Sequence, residues 1–374
     1  MTAIRLPGRA EPLRIPDPGW PGGHRVPRSR HVYAAAHVAA FPDGSIDWQS
    51  TLGFRDHLWA HGFAVAEAMD TAQRGMGLSW AQAKELITCA AERAARRGGA
   101  ISCGVGTDQL PDGGTHSRTA IVRAYEEQLD LVQAAGPRVI LMASRALTAS
   151  ARSADDYLDI YGYLLKQADQ PVILHWLGEA FDPRLRGYWG SQDFGTAADT
   201  VIELIGRSDR KVGGIKLSVL DSASEIALRR RLPPGVRLYT GDDYNYAGLI
   251  RGGPDGHSDA LLGAFAAIAA PAAAALHALD AGDLAGYDKI MNPTVPLSRA
   301  IFEPPTASYK AGIAFLAWLN GFQPHFAMLG DFQRRRPAAH LIRVFELAAA
   351  ACALLDPGLA VERMTRYLAS QAAR

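Results

Sequence analysis

Cysteine is scarce in this chain. Three are present among 374 residues, Cys89, Cys103 and Cys352, scattered and odd in number. That pattern excludes a disulfide framework and a paired-cysteine zinc site, and it fits buried thiols in a reducing cytoplasm. A surplus of charge of one sign is also lacking: Lys and Arg number 39 against 38 Asp and Glu. No basic face for nucleic acid and no pull toward an anionic membrane is therefore expected. Long hydrophobic runs are missing too. The most apolar stretch, 264–279, is alanine-rich, contains Pro271 and His277, and is too short to span a bilayer, so it predicts a packed helix. The N-terminus has no apolar signal core, which places the chain in the cytoplasm. There is no internal repeat and no long linker. No Gly-x-Gly-x-x-Gly turn follows the first apolar run, which argues against a dinucleotide-binding open sheet.

What is present is a regular alternation. Residues 1–30, rich in proline, glycine and arginine, read as an extended lead-in with a hairpin pairing 3–6 with 11–15. From 31 onward, short apolar runs at 32–39, 64–68, 100–104, 138–143, 171–175, 212–217 and 236–240 predict buried parallel strands. Helical patterns fill the intervals at 47–60, 79–97, 117–135, 154–168, 197–207 and 222–231. Ser79 and Ser153 stand where helix caps are wanted. With a weak eighth strand near 256–258, the pattern predicts a (β/α)₈ TIM barrel over 31–281. The strand signal then stops. A C-terminal helical region over 282–374 is expected, with helices at 284–302, 306–318, 338–355 and 358–370.

Within that frame Lys216 stands out, set in the apolar run Val212-Gly213-Gly214-Ile215-Lys216-Leu217-Ser218. Burial disfavours an ammonium, lowers its pKa and leaves free amine able to attack a carbonyl. The plainer reading is a strand lysine with its head in water. The other strand ends favour the first. Barrel enzymes carry their chemistry at the C-terminal ends of strands, and here those ends offer Glu67 and Asp70, Gly104 to Asp108, His175, and Gly241-Asp242-Asp243. A lysine that forms an imine beside an imidazole that moves protons is a coherent pair.

The same residues carry a resemblance. Ala40-Phe41-Pro42-Asp43-Gly44-Ser45-Ile46-Asp47, Ala100-Ile101-Ser102-Cys103-Gly104-Val105-Gly106-Thr107, Gly214-Ile215-Lys216 and Thr240-Gly241-Asp242-Asp243 follow one another in order. So do Leu279-Asp280-Ala281-Gly282-Asp283 and Leu297-Ser298-Arg299-Ala300-Ile301-Phe302. Taken together, residues 31 to 320 resemble the dihydrodipicolinate synthase/N-acetylneuraminate lyase superfamily of Schiff-base barrels. The resemblance implies a cofactor-free class I lyase or aldolase acting on a small carbonyl compound, assembled as a homo-oligomer, dimer or tetramer. It implies Lys216 as the imine lysine, with Gly104, Gly241, Asp242 and Asp243 around the substrate. His175 stands where the family has its relay tyrosine, and its imidazole is expected to titrate near neutrality. The family's carboxylate-gripping Gly-Thr-Thr-Gly-Glu turn is here Asp70-Thr71-Ala72-Gln73-Arg74. One hydroxyl is lost and a negative charge is gained, which turns the expectation from pyruvate toward a neutral oxidised sugar. Thr71 remains, and Arg74 is a candidate clamp. No second tyrosine, donated across a dimer interface in some relatives, is assignable. His257, in the eighth-strand region, faces either the substrate or a turn. The loop 178–196, carrying Arg184, Arg186, Tyr188 and Trp189, is longer than the family's and reads as a lid or as ordinary surface.

Two other functions compete. Glu67, Asp70, His175, Asp242 and Asp243 would suit a divalent cation in a metal-dependent sugar lyase or isomerase, although only one histidine stands at the mouth. A non-catalytic small-molecule-binding descendant is the third reading.

Overall fold

A computed structural model describes residues 2–23 and 25–372. Strands β1 (Thr2–Ile4) and β2 (Leu13–Ile15) form the antiparallel hairpin, with Thr2 opposite Ile15. The barrel strands follow: β3 (Val32–Ala35), β4 (Ala64–Glu67), β5 (Ile101–Val105), β6 (Arg138–Leu141), β7 (Val172–Leu177), β8 (Val212–Ser218), β9 (Arg237–Thr240) and β10 (Asp259–Leu262). All eight are parallel, and β10 pairs back on β3 to close a (β/α)₈ barrel.

The strands are apolar on both faces because both faces are buried. Tyr33, Ala66, Ile140, Ile173, Tyr239 and Leu261 pack together inside the barrel. Their alternates, such as Val32, Val65, Leu141, Leu174, Ile215 and Leu217, join the core beneath the surrounding helices. Lys216 is in register with Tyr239 on one side and His175 on the other. By the two-residue period it faces the interior.

Helix Trp80–Arg97 begins with a full capping box at Ser79 and Gln82 and ends on Gly98 at φ 66°, a left-handed stop that glycine adopts without strain. The alanine-rich stretch is two helices, Ala264–Ala267 and Ala269–Asp280, with the break at Ile268. Beyond it the expected 284–302 helix is split into Leu284–Met291 and Thr294–Ile301. Pro293 supplies no amide hydrogen and disfavours helix at the residue before it. Helix Tyr309–Leu319 is buried along its whole length, packed against Ala264–Ala267, the segment Leu329–Arg335 and helix Ala338–Ala350. That environment explains why its sequence is apolar on every side. No helix among the described residues is long and apolar enough to cross a membrane.

Candidate active site

Lys216 projects from the C-terminal half of β8 and is 8 % exposed. Burial pulls its ammonium below the usual lysine range, and the carboxylates of Asp70 and Asp243 act in the opposite sense. Gly241 is why the side chain fits. A Cβ there would stand 2.9 Å from Lys216 Cε and 2.1 Å from Ser218 Oγ, so any larger residue would fill the lysine's channel. His175 occupies the matching position on β7, fully buried. Neither ring nitrogen has a hydrogen-bond partner among the described residues, and Nδ1 lies 4.0 Å from Asp70 Oδ2. Burial, helped by the Lys216 charge, holds its pKa well below the ordinary histidine value. The imidazole is therefore neutral, which corrects the expectation that it titrates near neutrality. Asp70 opens the 3₁₀ turn Asp70–Ala72, its side chain 21 % exposed. Asp243 is buried, accepts a hydrogen bond from the Ala264 amide at 2.8 Å, and is pushed up to about 7 by desolvation.

Other residues singled out in the sequence have different work. Thr71 Oγ1 is 2.9 Å from the hydroxyl of Tyr309. Arg74 is not free to clamp a substrate: its Nε donates to Asp108 at 2.9 Å, Nη1 donates to the Ala68 and Gly104 carbonyls, and Nη2 donates to Asp108 and Gln128. Gly104 permits this close approach, since a Cβ would lie 2.8 Å from the Ala68 oxygen. Asp242 is a local cap, accepting from the amides of Tyr244 and Asn245 and from Asn245 Nδ2. His257 is corrected outright. It precedes β10, at the opposite end of the barrel from the mouth, where Arg30, Asp259, Arg229 and Arg237 surround it. Glu67 is also misplaced by the sequence reading. It faces outward from β4 and is fully buried in a two-pronged ion pair with Arg55 at 2.8 Å. With Glu67 behind the wall and Asp242 spent as a cap, the oxygen-and-imidazole set proposed for a cation does not converge. No cluster of three potential ligands exists among the described residues.

Two buried polar side chains next to the Asp70–Ala72 turn were not singled out from the sequence. Tyr309 and Lys310 open the C-terminal helix Tyr309–Leu319, and both are buried. The Tyr309 ring stacks on Phe302 at 4.4 Å, and its hydroxyl reaches Thr71. Lys310 Nζ donates to the Ala307 carbonyl at 3.1 Å and lies 4.4 Å from the Tyr309 ring centre, and burial brings its pKa down to about 8. The available signal was a lysine in an otherwise apolar helix, the same kind of anomaly that marked Lys216.

A cleft of about 290 Å³ has His175 and Asp70 in its lining; Lys216, beside His175 in the sheet, is not part of that lining. The loop 106–116, helix Arg145–Ser150 and residues 182–185 form its walls. The loop 178–196 is pinned. Tyr188 and Trp189 are fully buried, the Tyr188 hydroxyl accepts from the Ser144 amide at 2.9 Å, and it lies 2.6 Å from the Tyr161 hydroxyl.

One family model matches, described as "Protein of unknown function (DUF993)", over residues 13–372. No curated protein matches the chain. Among solved structures, dihydrodipicolinate synthase from Aquifex aeolicus is similar at TM-score 0.67 and 14% identity, over 87% of this chain and 99% of that one. The synthase from Thermotoga maritima is similar at 0.65 and 13%, over 87% and 100%. YagE, an E. coli K12 prophage protein of the dihydrodipicolinic acid synthase family solved with pyruvate, is similar at 0.67 and 14%, over 86% and 98%. These likenesses show a shared barrel fold, in agreement with the resemblance carried by the motifs.

Proposed function

We propose, from the premise that the chain belongs to the DUF993 family and folds as a dihydrodipicolinate synthase-like barrel, that it is a class I lyase or aldolase. Lys216 is its imine-forming residue and a small carbonyl compound its substrate. The observation that carries this reading is the pair on β7 and β8: a buried lysine in register with a buried histidine whose two ring nitrogens have no hydrogen-bond partner among the described residues.

The chemistry follows from the placement. The Lys216 amine adds to the substrate carbonyl carbon, and water leaves as the imine forms. The iminium draws electrons from the neighbouring carbon, so that a C–H or C–C bond there can break. The neutral His175 accepts the released proton and can return it in the reverse sense. Reduction by borohydride makes the imine permanent, and peptide mass spectrometry then finds the adduct. Lys216→Ala and Lys216→Arg should both abolish capture while leaving the fold intact, since guanidinium is never deprotonated at working pH. Capture surviving either change overturns the reading.

Asp70 bears on the choice of substrate. It lines the cleft, Arg74 is fully engaged, and the Thr71 hydroxyl is bonded to Tyr309. Neither the Arg74 side chain nor the Thr71 hydroxyl is left free to grip a carboxylate, which supports a neutral hydroxylated ketone or aldehyde over pyruvate.

A further inference from the structure

The walls of the cleft are charged, yet almost every charge is already answered. Arg74 is paired with Asp108. Arg145 is paired with Asp182, and Arg184 bridges Asp182, at 2.9 Å, and Asp112, at 2.8 Å. The chain Asp112–Arg184–Asp182–Arg145 ties the loop 106–116, residues 182–185 and helix Arg145–Ser150 into one rigid rim. Six of the seven charged residues lining the cleft thus cancel in pairs, and Asp70 is the one left. An anionic ligand would meet no unpaired arginine there and would approach the Asp70 carboxylate, whose neighbouring charges are the buried Lys216 and Lys310. Leu110, Ala146, Ala149 and Leu185 give aliphatic surface beside the ions, and Thr107, His116 and His175 complete the polar part of the lining. A wall that alternates fixed carboxylate oxygens with small aliphatic surface suits the alternating hydroxyl and C–H faces of a polyol. At about 290 Å³ the space would be left largely to water by a three-carbon compound. Meanwhile the two unpartnered nitrogens of His175 mark where the reacting end must lie.

We infer that the outer cleft is a second subsite, built to hold the uncharged polyhydroxylated tail of an extended carbonyl substrate of about five or more carbons and to exclude phosphorylated or carboxylated tails. The inference rests on the imine reading for the orientation of the substrate, with the carbonyl end on Lys216 and the tail toward Asp112. The rim arginines serve as struts.

Calorimetric titration of the full chain with a hexitol, glycerol and the hexitol's phosphate ester tests the subsite without requiring any carbonyl chemistry. The hexitol should bind at least about tenfold more tightly than glycerol, and the phosphate ester no more tightly than the hexitol. Asp112→Asn, at an exposed position, releases one partner of Arg184 and should improve binding of the phosphate ester several-fold. Asp182→Asn releases both arginines and should improve it further. Tighter binding of the phosphate ester by the unaltered protein, or equal binding of glycerol and hexitol, overturns the inference. Borohydride capture of a neutral ketohexose run alongside reports on Lys216 separately: binding without capture would sink the imine reading while leaving the subsite in place.

Discussion

Two carboxylates bear on the amine of Lys216, and they differ in kind. Asp70 lines the open cleft, while Asp243 is enclosed and held up to about 7. Above that pH Asp243 is ionised and stabilises the lysine's ammonium; below it the carboxyl is neutral and exerts no such hold. Asp243→Asn removes the charge, so the lysine should lose its proton at lower pH. The onset of borohydride capture should shift to lower pH, and an unmoved onset would show that Asp243 does not act on the amine. His175→Phe should slow proton transfer by roughly two to four orders of magnitude with capture itself retained. Because burial keeps the imidazole neutral, no limb near 6.5 is expected in the rate profile of the unaltered protein. At Gly241 the expectation is geometric. Gly241→Ala collides with the lysine's own methylene and the Leu217 carbonyl, so capture should fall sharply for a stability cost of about 1–3 kcal/mol, read together by mass spectrometry and denaturation.

The strands and helices were legible because their physics is local. Apolar runs bounded by turn residues gave seven of the eight strands to within a few residues, and Ser79 and Gly98 bracket their helix as cap chemistry requires. The eighth strand begins at Asp259, after the Gly253–Gly256 turn, so His257 fell at the wrong end of the barrel. Glu67 failed for a related reason. At a strand end one residue decides between the inner and outer face, and apolar runs buried on both sides carry no alternation to tell them apart. Lys216 escaped that ambiguity because it was placed by the Gly214-Ile215-Lys216 motif and not by alternation. Tyr309, Lys310 and the pairing of the arginines are long-range facts, with no local pattern to announce them. The outward placement of Glu67 has a measurable corollary. Glu67→Gln leaves Arg55 buried without its counter-charge and should cost about 3–5 kcal/mol in chemical denaturation. It should leave capture by the folded fraction intact, whereas a role at the mouth would abolish it.

At the scale of the whole molecule, buried acids set the response to pH. Glu225 is fully enclosed between its helix and the barrel, accepts a hydrogen bond from Ser258 at 2.6 Å, and is raised by desolvation to about 7. An acid whose folded pKa lies above its unfolded value keeps its proton longer in the folded state. Stability should then decline as pH rises from about 4.5 toward 7 and level off beyond it. For Glu225 alone the change is on the order of 3 kcal/mol, and Glu225→Gln should flatten that part of the curve, as followed by denaturant midpoints across pH.

The helix Tyr309–Leu319 also bears on the order in which the chain is made. Its first residues close on the turn Asp70–Ala72 through the Tyr309–Thr71 contact, and they follow every barrel strand in the chain. Until they dock, the turn that carries Asp70 lacks its Tyr309 partner. The barrel mouth is thus finished by a contact that spans 238 residues of sequence, one that can form only after all eight strands have been made.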